Sequence, residues 1–154
     1  MNSNNSVPAP PFHCDDTTDL LPCVQGMIGE IKKSGCTRFL SITLETGYSD
    51  PLAILEEIHR PGQAVCYLER PATEFSIACG GLVAEAAFSG EKRFSQAKNW
   101  ANSIFEMTHI VGNHKFPGTG PTLFIAATFE SESTREGSPK PLQVFLPRLS
   151  LIHI

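Results

Sequence analysis

The chain predicts an α+β fold: a mixed or antiparallel sheet with helices packed on one face. Three observations carry that expectation. From Ser89 to Thr108, apolar residues recur at three- and four-residue spacing, the period of one helical face. Leu40, Ile42 and Leu44, and again Leu142, Val144 and Leu146, alternate with other residues as half-buried strands do. Pro/Gly groups at Pro61-Gly62 and Pro117 to Pro121, with Gly80-Gly81, punctuate the chain between such segments.

In chain order, Met1 to Pro22 is rich in Asn, Ser, Pro and Asp, and is expected to be a loose N-terminal segment. Val7 to Pro11 favours extended backbone and offers a weak polyproline-type ligand at best. Asp15 and Asp16 precede Thr17 and Thr18 and read as turn caps rather than metal ligands. Residues 23–148 form the expected domain. Within Asp19 to Lys33, Leu20, Leu21, Val24, Met27, Ile28 and Ile31 outline a short helix, which Gly26 and Gly29 weaken. Arg38 to Glu45 follows as a half-buried strand. Asp50-Pro51 is a helix start, with Asp as N-cap and Pro at the first helical position, and the helix runs through Leu52, Leu55 and Ile58.

Gln63 to Arg70 reads as a strand and Pro71-Ala72-Thr73 as a turn. Glu74 to Cys79 returns, and Leu82 to Phe88 continues the sheet beyond Gly80-Gly81. The long helix then carries Phe94, Ala97, Ala101, Ile104, Phe105 and Thr108 on its apolar face, with Ser89 as the expected cap. Thr122 to Phe129 is a short unbroken apolar run, expected to be a strand covered on both faces. Ser131 to Lys140 is a polar loop, and the strand at Leu142, Val144 and Leu146 closes the domain.

Chemistry-bearing residues form no recognisable motif. Glu56, Glu57 and His59 crowd one helix end without the H-E-x-x-H spacing that puts two imidazoles on one face, so they read as a solvated flank. Gly80-Gly81 has neither G-x-G-x-x-G spacing nor a P-loop Lys-Ser/Thr, and reads as a bend or bulge between strands. His109 and His114 read as a loop pair. Catalytic, substrate-binding and metal-binding residues are therefore assigned to none of these positions.

Composition narrows the classes further. With 12 Lys+Arg against 16 Asp+Glu the net charge is −4, and no basic stripe tracks a phosphate backbone, so no nucleic-acid partner is expected. No apolar run reaches the roughly 20 residues that cross a bilayer, so no membrane partner is expected. Cys14, Cys23, Cys36, Cys66 and Cys79 are odd in number and contain no CxxC. They read as reduced thiols of a cytoplasmic protein, with Cys66 and Cys79 filling strand interiors.

The order strand, Glu69-Arg70-Pro71, strand, Gly80, strand, Ser89-Gly90-x-x-Arg93-Phe94 helix, Gly120-Pro121 strand, Phe145-Leu146-Pro147-Arg148 resembles the N-terminal region of the isochorismate synthases, in the chorismate-utilising enzyme family. Cyanobacterial members are nearest in flavour, sharing the Asp50-Pro51-Leu52 helix start. The resemblance runs from about Arg38 to Arg148. Family members often carry Gly-Gly-Phe in the strand after Gly-Pro, where this chain has Ala126-Ala127-Thr128-Phe129. The resemblance implies part of a four-layer α/β/β/α fold and an enzyme that isomerises chorismate to isochorismate for menaquinone or phylloquinone, or for salicylate-type siderophores. It implies a lysine base, a glutamate acid and Mg²⁺ held by glutamates, all from positions after the matched segment. None of Lys92, Lys98 or Lys115 sits in the family's catalytic-lysine motif. The chain is thus expected to be an inactive N-terminal fragment binding no cofactor itself. Alternatives are a salicylate, anthranilate or aminobenzoate synthase component, or a non-catalytic binding module of the same topology.

Leu149 to Ile154 can be encoded by CTG TCT CTT ATA CAC ATC, a transposase mosaic-end sequence of sequencing libraries. Residues 149–154 are accordingly expected to be an adapter-derived tail outside the fold.

Overall fold

The computed structural model describes residues 13–14, 20–113, 115–132 and 137–153. Its order is β1 (His13–Cys14), α1 (Leu20–Ser34), β2 (Phe39–Ile42), α2 (Pro51–Ile58), β3 (Val65–Arg70), a 3-10 turn (Pro71–Thr73), β4 (Phe75–Phe88), α3 (Arg93–Glu106), β5 (Thr108–Val111), β6 (Phe124–Ala127) and β7 (Leu142–His153). The strands form two sheets. One is three-stranded and parallel, in the order β1-β5-β2, and the other is four-stranded and antiparallel, in the order β3-β4-β7-β6. The α+β expectation holds.

The β4–β7 ladder is the spine, pairing Phe88 with Leu142 at one end and Ser76 with His153 at the other. Its register shifts between Leu82 and Ala84, where Val83 is the extra residue. Two features place the bulge there. Gly81 adopts φ +71°, and a Cβ on it would lie 3.2 Å from the Cβ of Arg148. Opposite Leu82 stands Pro147, which has no N–H to give to a regular ladder. The Gly80-Gly81 irregularity therefore lies inside one long strand.

Helix α2 starts as expected: the Asp50 carboxylate accepts the Leu52 N–H at 2.9 Å, and Pro51 occupies the first turn. Leu55 and Ile58 pack toward Gly80 on β4. Helix α3 differs from expectation. Its buried stripe is Arg93, Ala97, Trp100 and Ile104 in part or in full, while Phe94 and Phe105 face outward at 55% and 40% exposure. Ser89 does not cap it; Lys92 holds the cap position without a side-chain bond. Arg93 instead turns inward and donates to the carbonyl oxygens of Gly90 and Phe129, both at 3.3 Å, with its guanidinium 4.7 Å from the Phe94 ring centroid. Ala97 packs with Leu142 and Val144 to form the core, flanked by Phe88, Trp100 and Leu123.

Four further expectations are corrected. Thr108 to Val111 is strand β5 rather than the helix exit, and His109 is a buried strand residue rather than part of a loop pair. The Thr108 hydroxyl donates to the Ile104 carbonyl at 2.6 Å, closing the helix as the β-branched run begins. His114 lies outside the described residues. Strand β6 is an edge strand with Ile125, Ala126 and Ala127 exposed, not a strand covered on both faces. Within the expected loose N-terminal segment, His13–Cys14 instead pairs with β5, while Asp15 and Asp16 lie outside the described residues; α1 (Leu20–Ser34) lies where a helix within Asp19 to Lys33 is expected. Finally, residues 149–153 lie within the fold, continuing β7 opposite Gly80 to Ser76. Leu149, Ser150 and Leu151 alternate as a strand requires, whatever their coding origin.

Candidate functional site

Strand β2 presents its faces in reverse of the simple expectation. Leu40, Ile42 and Leu44 are 42%, 42% and 56% exposed, whereas Phe39, Ser41 and Thr43 are partly buried. The strand is fixed in this orientation by β5, through Phe39 N–H to Met107 O at 2.9 Å and Thr43 N–H to Val111 O at 2.8 Å.

A cleft of about 930 Å³ opens between β2 with its following loop, the turn around Phe116 to Thr122, and the C-terminal half of β7. The turn is held by its own hydroxyls: Thr119 donates to Phe116 O at 2.6 Å and Thr122 to Gly118 O at 2.9 Å. Gly118, at φ +83°, passes so close to Ile152 and Phe75 that a Cβ would sit 3.4 Å from each. Gly120 N–H reaches back to the Thr43 hydroxyl at 3.2 Å and ties the turn to β2. Tyr48 meets His153 edge to face, with ring centroids 5.4 Å apart and planes at 89°. Arg148 and Asn113 add a guanidinium and an amide to the lining.

These groups can hydrogen-bond a polar ligand and cover an apolar one. Among the described residues Glu45 is the one carboxylate of the lining, and no three His, Cys, Asp or Glu side chains converge as a metal set would. The residues weighed from sequence lie elsewhere. Glu56, Glu57 and His59 are exposed on the flank of α2, and Lys92, Lys98 and Lys115 are exposed and not among the described residues that line the cleft. Tyr48, Arg148 and His153 carried no spacing signal. His153 belongs to the segment 149–154 that the sequence places outside the fold.

Two groups elsewhere have displaced titrations. Partial desolvation, a 3.1 Å hydrogen bond to Glu69 and that carboxylate's charge raise the Tyr67 phenol. Burial, with Cys66 alongside, pushes the Cys79 thiol up to about 12. Both lie on β3 and β4.

Neither a search of curated proteins nor one of solved structures returns a match. A protein-family comparison does, over residues 26–153, and that span takes in α2, α3, both sheets except β1, and the whole cleft. On that match, the chain belongs to the family described as chorismate binding enzyme.

Proposed function

We propose that this chain is the N-terminal part of an isochorismate synthase, which isomerises chorismate to isochorismate for quinone or salicylate-type synthesis in the cytoplasm. The observation that carries the proposal is the open apolar face of β2 and its following loop: Leu40 and Ile42 on the strand, and Leu44 just beyond it, stand at the cleft with no cover among the described residues. A strand with apolar residues along one face stabilises a fold only when that face is buried. The motif order from Glu69-Arg70-Pro71 to Phe145-Leu146-Pro147-Arg148 supports the isochorismate branch over the other chorismate-utilising synthases.

The reaction adds water at one ring carbon and expels hydroxide from another. It needs a base with a lowered pKa for the water and a proton donor for the departing oxygen. Among the described residues no lysine lines the cleft, so neither role is given to Lys92, Lys98 or Lys115. The reaction class also calls for Mg²⁺ held by carboxylates, and a lone Glu45 among the described lining does not fit such a site. The proposed contribution of this chain is one wall: the α2- and α3-backed spine, the β2 face and the turn around Gly118.

The test begins with the genomic sequence downstream of the Arg148 codon. Continuation into several hundred codons is expected, and the extended protein should convert chorismate to isochorismate in the presence of Mg²⁺ while this chain alone does not. A stop codon directly after Ile154, together with a soluble, cooperatively folding monomer, would overturn the proposal in favour of a binding module.

A further inference from the structure

We propose that Cys66 and Cys79 form a reversible dithiol pair, which a peroxide-class oxidant converts to a cross-strand disulfide stapling edge strand β3 to β4. The two residues face each other directly in the antiparallel register of β3 and β4. Side chains directly opposite on a sheet project from the same face, so the thiols share one environment.

The ladder fixes their spacing. Gly81 N–H donates to Ala64 O at 3.0 Å, just outside the opposed pair Val65 and Gly80. That bond makes Val65/Gly80 a non-hydrogen-bonded position, and Cys66/Cys79 the next hydrogen-bonded one. Such pairs hold their Cα atoms about 5.5 Å apart, inside the roughly 4.4–6.8 Å that a disulfide spans. Opposed Cβ atoms sit about 4.5–5.5 Å apart, with hydrogen-bonded pairs at the wide end, against the roughly 3.5–4.5 Å of a disulfide, so the strands must close by about 1–2 Å. A bond closed against such resistance is readily reduced, which makes the pair reversible.

The two thiols are unequal. Cys79 is 1% exposed, whereas Cys66 is half-buried on a strand whose outer edge pairs with no other strand among the described residues. Cys66 therefore meets the oxidant. Its thiolate attacks one peroxide oxygen and expels hydroxide, forming a sulfenic acid. The Cys79 sulfur then displaces the sulfenic oxygen, and its proton leaves with that oxygen as water. In sum, two thiols and one hydrogen peroxide give one disulfide and two waters.

The wild-type chain tests this directly. It is treated with hydrogen peroxide under native conditions, its remaining thiols are blocked with N-ethylmaleimide, and it is cleaved after glutamate without reduction. Glu69 and Glu74 lie between the two cysteines, so cleavage there leaves Cys66 and Cys79 in one fragment only if they are bonded. The expected result is a linked fragment two hydrogens lighter than its separate thiol halves, parted by dithiothreitol. The partly exposed Cys66→Ser variant should give no link and leave Cys79 alkylatable after unfolding. Alkylation of both cysteines after oxidation, arrest of Cys66 at sulfinic acid, or a link to Cys36 instead would each overturn the proposal.

Discussion

Leu142 and Val144 on β7 and Leu40 and Ile42 on β2 share the same alternating pattern, yet the first pair is 0% exposed and the second 42%. The difference is the cover. Ala97 of α3 lies over β7, with Phe88, Trp100 and Leu123 closing the sides. Over β2 the described residues leave an open cleft instead. Alternation marks a face suited to burial; it does not say that the same chain supplies the covering layer. The β4–β7 spine is thus a covered core, whereas the described residues leave the Leu40 and Ile42 face of β2 uncovered.

The largest effect should come from the covered side. Leu142→Ala removes a fully buried side chain beneath α3 and should cost about 2–5 kcal/mol, read from denaturant unfolding. A loss below about 1 kcal/mol would mean that this core is as loose as the β2 wall, and the contrast would fail.

Arg93 comes next. It anchors the start of α3 through the carbonyls of Gly90 and Phe129, while its buried Nε has no hydrogen-bond partner. Arg93→Ala should cost about 1–3 kcal/mol by the same measurement. Arg93→Lys should recover little, because an ammonium cannot span two carbonyls with a planar fork.

Cys79 adds a pH dependence to the spine. Its thiol moves from an ordinary 9.0 to about 12 through burial and the neighbouring Cys66. Below pH 9 both folded and unfolded chains hold the proton, so stability is undiminished there. Between about pH 9 and pH 12 the unfolded chain ionises while the folded one does not, and stability falls as pH rises. Cys79→Ala should reduce that alkaline slope by up to about 1.4 kcal/mol per pH unit. A smaller change, about 1 kcal/mol, is expected for Asp50→Ala, which frees the Leu52 N–H at the start of α2. Its helix content by circular dichroism should fall only slightly.

What the sequence made legible follows the range of the forces involved. Asp50-Pro51 starts a helix by contacts within two residues, and Leu142 to Leu146 alternates in a strand core, so both are found as read. Strand β5 was missed because its pairing is non-local: Thr108 to Val111 bonds to Phe39 to Ile42, and nothing adjacent announces it. Arg93 hid a buried stripe in plain view, because a charged residue does not register as core until its carbonyl partners are in place. The cleft was illegible for the same reason. Tyr48, Arg148 and His153 converge only when the loop after β2 and the end of β7 meet, and no spacing along the chain encodes that meeting.

The smallest effect should be at β2 itself. Leu40→Ser combined with Ile42→Ser removes two half-exposed side chains from an uncovered face. Exposed positions of this kind change stability by roughly 0.5 kcal/mol or less, so unfolding of this chain should barely move. Self-association should fall, since both residues lie among the exposed apolar side chains around the cleft. In a longer chain whose further residues cover β2, the same pair would instead bury polar groups in a core and cost several kcal/mol. Denaturant unfolding of the double variant in both chain lengths separates the two states of the wall. Equal small losses in both would mean that β2 stays uncovered in the whole protein, and a large loss already in this chain would mean that its own residues cover it.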